Sequence, residues 1–143
     1  MKILSVDPGK NCGYAEIEFG GRVLQSGKVD FTALSDFLEG LDWDGFTAII
    51  YEAFRVYRSH AQHFTGSVME VSQSIGMLTA YGNLHKVRLV AQQPYHFKLG
   101  AKYMGAKLPK GHLDDELSAI YHGIAYLKSI DQFTTLLEAQ RRQ

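Results

Sequence analysis

The chain has 143 residues, enough for one domain whose hydrophobic core needs no disulfide or structural metal. Hydrophobic content of 45% and charged content of 21% are ordinary for a globular protein, and no apolar run approaches the roughly 20 residues of a membrane span. The formal charge of zero is unevenly spread: residues 1–53 carry four basic and nine acidic side chains, a net of −5, and residues 54–143 carry eleven and six, a net of +5. One cysteine, Cys12, excludes an internal disulfide, and Asp7-Pro8 breaks the apolar start where a signal peptide needs its hydrophobic stretch. The expectation is a single domain over residues 1–143, cytoplasmic and without a membrane partner.

Residues 2–6 are apolar and β-branched and stop at the turn signal Asp7-Pro8-Gly9, which predicts a first strand. Residues 13–19 alternate, with Tyr14, Glu16 and Glu18 set against Ala15, Ile17 and Phe19, as a half-buried strand does. Gly20-Gly21 suits a two-residue hairpin loop into a third strand over 22–30. The spacing of Leu34, Phe37, Leu38 and Leu41 predicts a helix over 32–41, and the nearly all-apolar run 46–52 predicts a strand buried on both faces. An irregular, aromatic and basic stretch over 53–60 precedes a long helical pattern to residue 85, with Phe64, Val68, Val71, Ile75, Leu78 and Leu84 as apolar positions. A fifth strand is predicted over 87–91 and a short helix over 94–99, followed by a loop rich in glycine and lysine as far as Gly111. A helix over 112–128 and an amphipathic tail with Phe133, Leu136 and Leu137 complete the chain. The order β-β-β-α-β-α-β-α-α implies an α/β fold, a five-stranded mixed sheet flanked by helices.

Three acidic positions carry the chemistry. Asp7 ends the first predicted strand and Glu52 the fourth, and a carboxylate beside an apolar strand is costly to desolvate without compensation. Turn propensity alone accounts for Asp7, whereas Glu52 is a poor strand former and a weak turn residue; an ion pair with Arg55 or Arg58 is its plainer explanation. The third position lies in His112-Leu113-Asp114-Asp115-Glu116. On a helix, His112, Asp115, Ala119 and His122 fall along one line, apart from the apolar stripe of Leu113, Leu117, Ile120, Ile124 and Leu127. Acidic residues in a first turn also stabilise the helix dipole. Brought together, these groups make an oxygen-rich site with one imidazole, suited to Mg²⁺ or Mn²⁺. Two such ions about 3.5–4 Å apart clamp the attacking and leaving oxygens of a phosphodiester displacement, and Asp7, shared between them, is the least replaceable ligand. No Cys₂His₂ or HExxH spacing points to zinc, and no phosphate-cradling glycine loop points to nucleotide hydrolysis. Residues 86–110 hold Lys86, Arg88, Lys98, Lys102, Lys107 and Lys110 and no acid, which is either a grip for a polyanion or a solvated surface.

Ile3-Leu4-Ser5-Val6-Asp7-Pro8-Gly9 followed by Gly13-Tyr14-Ala15 resembles the opening of RuvC-type Holliday-junction resolvases. Ala48-Ile49-Ile50-Tyr51-Glu52-Ala53-Phe54 resembles their fourth-strand glutamate segment, and Ser74-Ile75-Gly76-Met77-Leu78 the glycine-bearing helix that follows. Pro94-Tyr95-His96-Phe97-Lys98 is similar to their Pro-x-x-x-Lys segment. His112-Leu113-Asp114-Asp115-Glu116-Leu117-Ser118-Ala119 is similar to their final helix, where two acids, or a His and an Asp, lie three positions apart. The resemblance spans residues 2–127. It implies an RNase H-like fold, a homodimer, and a metal-dependent endonuclease that resolves four-way (Holliday) junction DNA by paired symmetric nicks.

Carried over, Asp7, Glu52, His112 and Asp115 become the metal-binding, catalytic set, with two Mg²⁺ ions per site and Mn²⁺ as a substitute. Asp114 competes with Asp115 as a ligand, and the resemblance leaves that choice open. Aromatic residues after the strand glutamate wedge into the junction in that family, which points to Phe54 or Tyr57. Arg55, Arg58, Lys98, Lys102, Lys107 and Lys110 become phosphate contacts that position DNA without reading its sequence. His60, His63, His85, His96 and His122 receive ordinary surface or core roles. The chain is shorter than typical bacterial members, which implies a compact form from a bacteriophage, acting in the cytoplasm of a bacterial cell or phage-infected host. The alternatives are another RNase H-like nuclease, cutting RNA–DNA hybrids or branched DNA, and a non-catalytic structure-specific DNA-binding protein. A pure binder has no need to concentrate negative charge against phosphate.

Overall fold

Five apolar runs hydrogen-bond into one mixed sheet. In the computed structural model, which describes residues 1–53, 66–134, 138, 141 and 142 (only the backbone for 66–68), β1 (Lys2–Asp7) turns at Pro8-Gly9 into the antiparallel β2 (Asn11–Glu18). Gly20 and Gly21, with φ of 105° and 103°, reverse the chain into β3 (Val23–Asp30), a conformation glycine adopts without steric cost. β4 (Phe46–Glu52) pairs in parallel with β1, and β5 (Arg88–Gln92) in parallel with β4, giving the order β3-β2-β1-β4-β5.

Strand alternation sends successive side chains to opposite faces, and each face is roofed by its own helices. On one face Leu4, Val6, Cys12 and Ile49 pack against Leu34 and Leu38 of α1 (Leu34–Glu39) and Leu78 of α2 (Gly66–Leu84). On the other, Ile3, Ala15, Ile17, Ala48 and Ile50 meet Ala119, Ile124 and Leu127 of α4 (Asp115–Ser129). α3 (His96–Tyr103) lies against α4 so closely that a Cβ on Gly100 would stand 1.8 Å from the Tyr121 carbonyl oxygen. The mixed five-stranded sheet and its flanking helices agree with the pattern expected from the sequence.

The boundaries shift where capping decides them. The first helical segment opens as a 3₁₀ turn, Phe31–Ala33, because Asp30 accepts from the Thr32 N–H at 3.0 Å. α4 begins at Asp115 and not at 112, since Asp114 is its N-cap and accepts from the Glu116 N–H at 3.0 Å. His112 therefore precedes the helix instead of lying on it. β5 runs one residue further than expected, through Gln92, and α3 continues to Tyr103. Phe133 of the tail forms an isolated bridge with Gly20, while Leu136 and Leu137 fall outside the described residues. Among the described residues, no helix is long and apolar enough to cross a membrane.

Candidate active site

The three parallel strands β1, β4 and β5 end on polar residues: Asp7, Glu52 and Gln92. Such carboxyl ends are where open α/β sheets place their ligands. Asp7 shares a face with Ile3, so it points toward α4, whose first residue is Asp115. The approach is close because β2 carries Gly13 opposite Asp7. A Cβ there would lie 1.9 Å from the Asp115 carbonyl oxygen, so only glycine lets the start of α4 settle against the strands. The neighbours of Asp115 are drawn outward to β3. Asp114 pairs with Lys28, and the Ser26 hydroxyl donates to Glu116 at 2.6 Å. Asp115 alone of the three acids lines the pocket.

Crowding of carboxylates sets the electrostatics. Burial raises the pKa of Asp7 to about 7, helped by the charges of Asp115 and Glu52 and by a hydrogen bond shared with Asp115. The Ser118 hydroxyl, one turn along α4, opposes this by donating to the Asp7 carboxylate. Asp114 goes the other way: its hydrogen bond with Lys28 holds its carboxyl below the usual range. Glu52 is met by a histidine, with His122 Nε2 standing 3.1 Å from Glu52 Oε2. His122 is completely buried, and its Nδ1 lies 2.7 Å from Oε1 of Gln92.

Asp7, Glu52, Asp115 and Ser118 line an open pocket of about 550 Å³ together with Phe97, Lys98, Leu108 and Pro109. His112 stands at the rim, its side chain 87% exposed, with Nε2 3.8 Å from Asp115 Oδ1. Among the described residues, no lysine or arginine forms an ion pair with Asp7, Glu52 or Asp115. Carboxylates gathered at one pocket, where the charges of Asp115 and Glu52 push the Asp7 pKa up and no lysine or arginine among the described residues neutralises them, fit a hard divalent cation by donor chemistry. As the side chains lie, no three His, Cys, Asp or Glu groups among the described residues close on a single point.

Of the basic residues expected to meet phosphate, Lys98 lines the pocket, and Lys102, Lys107 and Lys110 are exposed on the adjoining helix and loop. Phe54, Arg55, Tyr57 and Arg58 lie outside the described residues. Three polar residues at the site, Ser118, His122 and Gln92, carry no role that the sequence assigns. His122 sits seven positions after Asp115 on the same face of α4, which was the signal available for it. Gln92 lies one residue beyond the end of the fifth strand that the sequence pattern predicts.

No family model matches the chain, and no curated protein matches it by sequence. Solved structures do. The chain superimposes on Thermus thermophilus RuvC in complex with Holliday junction substrate with a TM-score of 0.69 at 15% identity, covering 92% of this chain and 96% of that one. Thermus thermophilus RuvC alone gives 0.67 at 15% identity, over 92% and 98%. Fowlpox virus resolvase, solved with substrate Holliday junction DNA, gives 0.60 at 15% identity, over 89% and 99%. The fold is the RNase H-like fold of RuvC. The match extends over nearly the full length of each of these proteins.

Proposed function

We propose that the chain is a metal-dependent endonuclease that resolves four-way DNA junctions by paired symmetric nicks, working as a homodimer. A fold by itself does not select a function. The observation that carries the reading is the convergence of Asp7 and Glu52, at adjacent strand ends, with Asp115 at one open pocket. The fold around that pocket is the one seen in two resolvases solved with Holliday junction DNA.

Asp7, Glu52 and Asp115, with His112 from the rim, would hold two Mg²⁺ or Mn²⁺ ions, whose charge serves to activate water and to stabilise the 3′-oxygen leaving group. The protein's own residues do the rest. Ser118 holds the Asp7 carboxylate through a hydrogen bond that favours its ionised form. Lys98 lines the pocket, where its ammonium can donate to a phosphate oxygen of the scissile strand, and Lys102, Lys107 and Lys110 extend that grip along the backbone. Phe54 or Tyr57 supplies the wedge at the junction centre, and Arg55 and Arg58 add phosphate contacts. The acidic centre and basic rim divide the work: one does chemistry, the other holds a polyanion in place.

The test is cleavage of a synthetic four-way junction in Mg²⁺, Mn²⁺ and EDTA, beside linear duplex and RNA–DNA hybrid. Symmetric nicks confined to the junction and lost in EDTA are the expected result. Cutting of the hybrid alone reassigns the substrate, and tight junction binding without cutting refutes the nuclease reading.

A further inference from the structure

We infer that His122, fixed by Gln92, is a positioning residue that aims the Glu52 carboxylate into the pocket. The inference deepens the metal-nuclease reading above and rests on it.

His122 has no exposed surface, so each ring nitrogen must find its partner within the protein. It finds two on two different strands: Gln92 of β5 on Nδ1 at 2.7 Å, and Glu52 of β4 on Nε2 at 3.1 Å. Phe97 of α3 adds an edge-on contact, with ring centroids 6.2 Å apart, so the imidazole is held by packing as well as by hydrogen bonds. With Gln92 Oε1 on Nδ1, the charged ring donates on both sides; the neutral ring protonated on Nε2 also donates to Glu52 once the Gln92 amide turns its N–H toward Nδ1, whereas a neutral ring protonated on Nδ1 would set a lone pair against the Glu52 carboxylate. In the first two forms an N–H points at Glu52. The role does not depend on which of those two is present.

Glu52 needs such a partner. It is a long side chain at a strand end, about a third exposed, with rotamers that lead out of the pocket as well as in. A buried donor on Oε2 selects among those rotamers and leaves Oε1 for the pocket. The donor rides on α4, about two helical turns from Asp115, which is about 10 Å along the axis. One rigid helix thus presents one carboxylate directly and aims another, coupling their separation to the seating of α4 on the sheet. Partners of this kind behind a ligand typically set metal affinity by about 10- to 100-fold.

The experiment uses the full chain and Mn²⁺ as probe. Mn²⁺ affinity is read by calorimetry, and junction cleavage is split into kcat and KM. For His122→Phe, which keeps ring volume and loses both hydrogen bonds, Mn²⁺ binding is expected to weaken by at least about tenfold. The kcat at fixed Mn²⁺ should fall while KM for the junction stays within twofold of wild type. His122→Gln, which can still place an amide N–H toward Glu52, should recover part of both losses. Gln92→Met, which frees the ring without removing it, should lie between. Circular dichroism establishes folding, and if His122→Phe does not fold, the His122→Gln and Gln92→Met pair decides. Unchanged Mn²⁺ affinity in folded variants overturns the inference and leaves the nuclease reading intact. Wild-type chain that binds Mn²⁺ but cuts no junction defeats the nuclease reading alone, with the affinity series still deciding the role of His122. Wild-type chain that binds no Mn²⁺ overturns both.

Discussion

The two faces of the sheet are built by the same strands and serve opposite ends. The face under α1 and α2 is apolar along its length, from Phe46 through Leu4 and Ile49 to Val6 and Leu78. The face under α3 and α4 is apolar only for part of its length. Beyond Ile3, Ala48 and Ile50 it turns polar, with Asp7, Glu52 and Gln92 at the strand ends and Asp115, Ser118 and His122 descending from α4. Its glycines also differ in use. Gly13 and Gly100 admit backbone where a side chain would stand, so α4 lies closer than ordinary side chains would allow. The comparison teaches that one face supplies the folding free energy that lets the other keep three mutually repelling carboxylates at one place.

That division can be broken in either direction. The largest effect is expected for Asp7→Asn. If Asp7 is the central ligand proposed above, its removal should cut junction cleavage by at least about 10³-fold, the several kcal/mol of transition-state stabilisation a metal centre supplies. The metal-free variant should nonetheless melt higher than wild type, by about 3–8 °C, because the substitution relieves carboxylate repulsion. On the opposite face, Leu78→Ala should cost about 2–5 kcal/mol of stability through the cavity it leaves. Its cleavage rate per folded molecule, measured well below the melting temperature, should stay near that of wild type. A loss of activity matching Asp7→Asn would show that the faces are not separable.

Gly13→Ala tests the joint between them. The added methyl must push the start of α4 away from Asp7, so cleavage should drop by more than tenfold while stability falls by about 1–3 kcal/mol. A crystal structure or a Mn²⁺ titration of the variant would locate the loss at Asp115.

The pH dependence of the metal-free chain sharpens the same contrast. Asp7 has its pKa raised from 3.8 to about 7 in the folded chain, so between those values the folded chain binds a proton the unfolded chain has released. The stability this group contributes is complete below pH 3.8 and is lost as pH rises through about 7. Wild-type melting temperature, taken relative to Asp7→Asn, should fall between pH 5 and pH 8, and saturating Mn²⁺ should abolish the fall; a flat difference would mean that Asp7 is not under strain. The smallest effect belongs to Ser5→Ala. The Ser5 hydroxyl is buried without a hydrogen-bond partner among the described residues, so its removal should leave stability unchanged or raise it by up to about 1 kcal/mol, with cleavage unaffected.

Much of this was legible before the structure, and particular residues show why. Strand alternation in 13–19 and the apolar run at 46–52 identify their elements because burial of one or both faces imposes a period on sequence. Asp7 and Glu52 stand out for the converse reason, as charges at the ends of runs that should exclude them. Local capping was harder to read. The competition between Asp114 and Asp115 turns on partners far back in the chain, Lys28 and Ser26 on β3, which draw Asp114 and Glu116 outward. His122 looked like any core histidine, since its two partners come from two strands distant in the chain.

By itself, then, the sequence determined the order of the elements, the two-faced sheet and two of the carboxylates, because these follow from periodicity and from the cost of burying charge. Only the tertiary structure decided which acid of the final helix faces Asp7, that a buried histidine and glutamine stand behind Glu52, and that Gly13 controls the approach. Those outcomes depend on contacts between residues far apart in the chain, and no local pattern encodes a distance.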